Sequence, residues 1–136
     1  MIEDLLEKLC KDIKSKEAIH QTKDKVFIFT FNDDIQIIMK ENEGFIDMQS
    51  KITSCPELKL EDLFIYLMKA NLFLQGTGKN VIGLDKLEKS LTLSANLAYE
   101  IKYKNFKENI EDFINYLIYW RKEIDHYNEK VKESFI

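Results

Sequence analysis

The chain opens on an amphipathic run: Ile2, Leu5, Leu6, Leu9, Cys10 and Ile13 recur every three or four residues, with Glu3, Lys8, Lys11 and Asp12 on other faces. That spacing lays one apolar stripe along a helix. The polar stretch from Ser15 to Lys25 reads as a connection. From Val26 the hydrophobic period drops from helical to alternating. Residues 26–31 are aromatic and β-branched and too short for a free-standing helix, so they read as a strand. Asn32, Asp33 and Asp34 signal a turn, after which Ile35, Ile37 and Met39 share one side of a second strand. Residues 41–44 turn the chain again, and Phe45 to Ile52 makes a third strand. Short turns between three strands predict an antiparallel meander.

Ser54, Pro56 and Glu57 carry the signature of a capping box before a second helix. Leu60, Leu63, Phe64, Leu67, Asn71 and Leu74 then run along one stripe, with Ile65, Tyr66 and Phe73 spreading apolar surface further round, until Gly76 and Gly78 stop the helix. Val81 to Leu84 is a short strand, and Ser90 to Ala98 alternates as a longer one. Asn105 and Glu108 signal a cap for a last helix holding Phe106, Ile110, Phe113, Ile114, Leu117, Trp120 and Ile124. The order is α-β-β-β-α-β-β-α, an α+β fold with an antiparallel sheet of about five strands packed with three helices. One domain over residues 1–126 is expected, with a polar tail over 127–136 that frays.

The sequence offers little chemistry. Gly76 to Asn80 invites comparison with a phosphate loop, but the first glycine would fall at Phe73, Asn80 replaces the metal-binding hydroxyl, and the order is helix to strand. His20 and His126 lie in polar stretches without a second ligand at metal spacing. Asp33, Asp34, Glu41 and Glu43 sit in hairpin turns, where such residues are expected for turn chemistry. Cys55 beside Pro56 could be a nucleophile at a helix start, but no base is assigned to it. No enzyme, no cofactor and no metal are expected.

Composition narrows the class. With 136 residues, 45% hydrophobic and 32% charged, the chain is long enough to bury its own core without disulfides. A net charge of −4 disfavours a nucleic-acid grip, which needs clustered Lys and Arg. Two cysteines without a framework, an acidic opening at Glu3 and Asp4, and no membrane-length apolar run point to the cytoplasm, without membrane insertion.

What stands out is hydrophobic excess. Strand 26–31 is apolar on both faces, with Phe27, Phe29 and Phe31 on one and Val26 and Ile28 on the other. A strand with one wet face alternates apolar with polar, so either helices cover both of these faces or one awaits a partner, and the partner is the reading taken here. The phenylalanines are expected outward, as adaptable contacts, and the β-branched residues inward. The second helix is likewise apolar beyond one face, which a two-fold dimer resolves.

The stretch from Leu60 to Ile124 resembles the class I type III secretion chaperones, the Tir-chaperone family. The residues are Leu67, Met68, Lys69, Ala70 and Asn71, then Gly76, then Val81, Ile82, Gly83, Leu84 and Asp85, then Leu91, Thr92 and Leu93, and a closing helix with Phe113 and Trp120. The family pattern is a leucine-rich helix ending in Ala-Asn before a glycine turn and a short strand. The resemblance implies a homodimer joined through the second helix and the short strand, at Leu63, Leu67, Ala70, Asn71, Leu74, Val81, Ile82 and Leu84. It implies a secreted effector whose extended N-terminal segment wraps the dimer, and components of the secretion apparatus as further partners. Effector contacts are expected on the first helix and first strands, at Leu5, Leu9, Phe27, Phe29, Phe31, Ile35 and Ile37. The alternative is a ligand-sensing or regulatory module of the same fold without a secretion role.

Overall fold

The alternation that begins at Val26 is realised as strand pairing in the computed structural model, which describes residues 2–13, 19–23, 26–57, 59–72 and 79–134. The elements are α1 (Ile2–Asp12), β1 (Ile19–Lys23), β2 (Val26–Phe31), β3 (Ile35–Asn42), β4 (Phe45–Ser54), α2 (Leu60–Asn71), β5 (Val81–Leu84), β6 (Ser90–Ala98) and α3 (Tyr103–Glu133). The strands form a six-stranded sheet in the order β1-β2-β3-β4-β6-β5. The α+β class and the antiparallel meander therefore hold, with one strand, β1, inside the stretch expected to be a connection. Two compact units share the longer elements: Met1–Ser50 with Ala95–Phe113, and Lys51–Ser94 with Ile114–Ile136.

In the first unit, β2 and β3 pair in unbroken register, Phe27 opposite Met39, Phe29 opposite Ile37 and Phe31 opposite Ile35. Asn32 and Asp33, both at positive φ (53° and 63°), close this hairpin, a conformation that short polar side chains tolerate. Met39 lies opposite Met48 on β4, and Gly44 (φ 80°) turns the chain between them. Phe27, Phe29, Ile35, Ile37, Met39, Ile46 and Met48 are buried, together with Ile2, Leu5, Leu6 and Leu9 of α1 and Phe106, Ile110 and Phe113 of α3. One sheet face is thus dry and the helices supply its cover. Ser50, buried on β4, donates its hydroxyl to the Gln36 carbonyl at 2.8 Å, which gives the buried hydroxyl a partner. The Ile2 amide donates to Glu41 Oε1 at 2.7 Å, placing a carboxylate at the positive end of α1. The Tyr103 hydroxyl donates to the Asp12 carboxylate, and Lys107 Nζ stands 3.5 Å from the same group.

In the second unit, β5 pairs with β6, Ile82 opposite Leu93 and Leu84 opposite Leu91. Leu63 and Leu67 of α2, Ile82, Leu91, Leu93, Leu117, Trp120 and Ile124 are buried. Trp120 meets the edges of Tyr66 (5.8 Å between centroids) and Tyr119 (5.2 Å). Arg121 donates to the Ile52 and Lys51 carbonyls, both at 3.0 Å, fastening α3 to the end of β4.

Two local expectations are corrected, and a third falls on undescribed residues. Ser54 does not cap α2: it still lies in β4, and the Cys55 amide goes on to donate to the Lys89 carbonyl at 2.9 Å. The helix starts instead behind Lys59, in the left-handed region without a side-chain cap. Residues 127–133, expected as a separate polar tail, continue α3 as helix, where the Tyr127 hydroxyl donates to the Lys59 carbonyl at 3.2 Å. The expected helix end at Phe73, Leu74, Gly76 and Gly78 lies outside the described residues.

Candidate partner-binding site

Among the described residues, two apolar surfaces remain when the core is accounted for, one in each unit. The first lies on the face of the sheet opposite the dry one. Val26, Ile28 and Thr30 of β2 are half-buried there, and Gln36, Ile38 and Lys40 of β3 are exposed. Ile28 pairs with Ile38, which is 46% exposed, and Phe45 at the start of β4 is 52% exposed. Apolar side chains thus stand among Gln36, Lys40 and Gln49 on a sheet face open to solvent.

This inverts the expected orientation of β2. Phe27 and Phe29 are buried, and Phe31 is half-buried on the same side. Leu5, Leu9, Ile35 and Ile37, also expected at the effector surface, are buried as well. Volume decides the matter: an aromatic ring removes more apolar area from water than a β-branched side chain, so the rings take the interior. The apolar residues left on the open face are Ile28, half-buried, and Ile38 and Phe45, exposed.

The second surface is built by α2 and β5. Ile65, Met68 and Leu72 recur at three and four residues along the outer side of the helix, and Met68 is 70% exposed. Val81 and Leu84 of β5 and Leu87 in the following turn are also exposed. Between helix and strand lies a cleft of about 260 Å³ lined by Phe64, Leu67, Met68, Asn71, Ile82, Gly83, Leu84 and Leu91. Asn71 is its polar exception, and that amide is already engaged. Asn71 Nδ2 donates to the Ile82 carbonyl at 2.8 Å, and the Ile82 amide donates to Asn71 Oδ1 at 2.9 Å. The asparagine thus behaves like a neighbouring strand toward β5.

Of the residues expected at a dimer surface, Val81 and Leu84 are exposed, Ala70 and Asn71 half-buried, and Leu63, Leu67 and Ile82 buried within the chain. Leu74 lies outside the described residues. The expected stripe on α2 is therefore the inward one. The apolar surface expected further round at Ile65 and Tyr66 is exposed, and Met68 and Leu72, whose spacing from Ile65 is visible in the sequence, extend it.

Candidate catalytic groups are scattered. Cys55 is half-buried, and burial first, then the nearby Asp85 charge, pushes its thiol above the ordinary value. That is opposite to what activates a nucleophile. Burial raises the Cys10 thiol in the same direction. Asp33, Asp34, Glu43 and Lys79 are exposed in turns, and His126 is exposed on α3. Among the described residues no group of three or more His, Cys, Asp or Glu could hold a metal ion, and no helix is long and apolar enough to cross a membrane.

Residues 4–121 match the family model for the Tir chaperone protein (CesT) family. The fold is similar to a chain of the HopA1-SchA chaperone-effector complex, at 8% identity and a TM-score of 0.67, covering 89% of this chain and 93% of that one. It is similar to a chain of the Yersinia pestis type III secretion chaperone SycH in complex with a stable fragment of YscM2, at 15% identity and a TM-score of 0.64, covering 85% and 95%. YbjN from E. coli, described as a suspected transcription regulator, shares the fold at 13% identity and a TM-score of 0.67, covering 91% of each chain. No curated protein matches the sequence.

Proposed function

Because the chain belongs to the Tir chaperone protein (CesT) family, we propose that it is a type III secretion chaperone that holds an effector's unfolded N-terminal segment in the bacterial cytoplasm. The observation that carries this reading is the match over residues 4–121, which runs from α1 into the second half of α3. The likeness to YbjN is one of fold, and no family match accompanies it, so the regulatory alternative is not favoured.

The work is binding, without catalysis. Fixing an extended segment costs about 1–2 kcal/mol per residue in backbone entropy, so a holder must offer broad apolar surface. The chain has such surface on the open sheet face around Ile28, Ile38 and Phe45. A second copy of the chain packs on Ile65, Met68, Leu72, Val81 and Leu84, whose exposure a lone copy leaves uncompensated. The loaded dimer then meets components of the secretion apparatus.

The test is purification of the tagged chain from its native cytosol, followed by identification of stoichiometric partners and truncation of each. The expected result is one or more secreted proteins whose retention is lost with their N-terminal segment. Partners that remain bound after that truncation, or none at all, would overturn the reading.

A further inference from the structure

Helices α2 and α3 bring tyrosines and carboxylates together along one seam of the second unit. Tyr66 is 39% exposed on α2, and Tyr119 is 48% exposed on α3. Both rings stand in edge contact with the buried Trp120, which ties them to one fixed side chain. We propose that this seam seats an arginine of an extended partner segment, its guanidinium lying against Tyr66, Tyr119 and the Glu123 carboxylate. The source of the arginine rests on the reading of this chain as a holder of unfolded segments. The seat itself rests on the geometry.

Helical spacing assembles the seam. Tyr119, Glu123 and Tyr127 follow one another at four-residue steps, which stack side chains along one face of α3. Asp62 and Tyr66 are related in the same way on α2. At about 3.6 residues per turn, Tyr66 lies about 100° round from Ile65 and so off the outer stripe of Ile65, Met68 and Leu72. The seam is therefore distinct from the stripe on which a second copy is proposed to pack.

Negative charge gathers in the seam. Burial, then the Glu123 charge and a hydrogen bond to it, raises the hydroxyls of Tyr66 and Tyr119 above their ordinary value. Burial, then the Asp62 charge, does the same to Tyr127, whose hydroxyl donates to the Lys59 carbonyl. Each of these phenols thus faces a carboxylate. Glu123 is itself half-buried, and among the described residues no ion pair involves it. A cation is the group that the site lacks.

Arginine is the side chain that this combination selects. A phenol ring attracts a cation over its face, and a carboxylate accepts the guanidinium fork. The guanidinium is planar and weakly hydrated, so it stacks on rings and leaves water more readily than the lysine ammonium. Rings already fixed by Trp120 lose little freedom when it arrives. Partial burial of Glu123 strengthens its pull over that of an open surface carboxylate. The net charge of −4 draws basic segments toward the chain in the first place. Apolar surface alone accepts a segment in many registers, whereas a charged seat fixes one.

The test measures the affinity of a fluorescently labelled, capped peptide alternating arginine with serine. Beside it runs the same peptide with citrulline, which keeps the shape of arginine without its charge. The arginine peptide should bind saturably, and the citrulline peptide at least tenfold more weakly. Glu123→Gln and Tyr119→Ser should each weaken the arginine peptide about tenfold. Glu108→Gln, which removes an exposed charge near the start of the same helix, should change it less than about twofold. The Glu123→Gln comparison stands even if Tyr119→Ser does not fold. Equal affinities for the two peptides overturn the proposal, as do equal losses in Glu123→Gln and Glu108→Gln, which mark attraction by overall charge. A Glu123→Gln chain that loses its dimer in sedimentation yet keeps its peptide affinity gives the seat to a second copy and overturns it too. A chain that retains a secreted protein but does not distinguish the peptides is a chaperone without this seat. Arginine-selective binding without any secreted partner would instead sink the chaperone reading alone.

Discussion

The side-chain amide of Asn71 grips Ile82 by both of its backbone groups, accepting from the amide at 2.9 Å and donating to the carbonyl at 2.8 Å. Helix α2 is thereby bound to the edge of a four-residue strand that, among the described residues, pairs with β6. Asn71→Ala leaves both Ile82 groups without this partner, and Asn71→Asp sets a carboxylate against a carbonyl. Each is expected to cost about 1–3 kcal/mol in urea unfolding, as a part-buried bonded pair loses one side. A change within about 0.5 kcal/mol would show that Ile82 is satisfied by other means.

The inverted face of β2 sets a second expectation. Phe29 is 1% exposed, so Phe29→Ala should cost about 3–5 kcal/mol through lost burial and a residual cavity. Ile28 is half-buried on the open face, and Ile28→Thr should cost less than about 1.5 kcal/mol while weakening partner binding. Thermal melts beside partner titrations separate the two. A mild Phe29→Ala together with a severe Ile28→Thr would restore the orientation expected from sequence.

Much of the fold was legible because hydrophobic period reports local structure directly: Leu5, Leu6 and Leu9 fix α1, and Ile35, Ile37 and Met39 fix β3. Strand β1 was not legible, since Ile19 is its one apolar residue and the edge of β2 is what makes it a strand. The capping box at Ser54 and Glu57 was locally sound but lost to pairing of the chain with Lys89. At the candidate site, the sequence showed excess apolar residues on β2 and α2 but not which side was spare. For β2 that choice is made by side-chain volume. For α2 it is made by the clash of two stripes, Leu63 and Leu67 against Ile65, Met68 and Leu72, only one of which can face β5 and β6.

The link between α1 and α3 should show in the pH dependence of stability. The Tyr103 hydroxyl, helped by the Lys107 ammonium, holds the Asp12 carboxyl below its ordinary value of 3.8. A depressed carboxyl contributes above its unfolded value, and the contribution is lost as pH falls through the lower folded one. Burial, then the Asp12 charge, pushes the Tyr103 hydroxyl from 10.0 up to about 12. A raised hydroxyl contributes fully below pH 10.0 and loses that contribution as pH rises toward about 12. Urea midpoints across the pH range should therefore fall at both ends, and Tyr103→Phe should flatten the alkaline fall and reduce the acid one. An unchanged alkaline limb in Tyr103→Phe would assign it to other groups. The acid effect should shrink with salt, because Asp12 and Lys107 are exposed.

The two stripes of α2 make separable demands on any dimer. Met68 lies on the outer stripe and is 70% exposed, so Met68→Arg places a charge where the single chain already meets water. Folding of one copy is unaffected by that change. At an interface between copies, however, the guanidinium would be buried opposite its own symmetry mate or an apolar neighbour, which is costly without a partner. The expected result is a folded monomer by sedimentation, with helix content retained and the dimer's dissociation constant raised at least 100-fold, about 2.7 kcal/mol. Leu63 is fully buried inside the chain, so Leu63→Arg should unfold it whether or not a dimer forms. The pair therefore separates loss of assembly from loss of fold. If Met68→Arg sediments as the unmutated chain does, the outer stripe is not the surface through which copies meet. The exposed Ile65, Met68 and Leu72 would then belong to the effector's path or to the secretion apparatus.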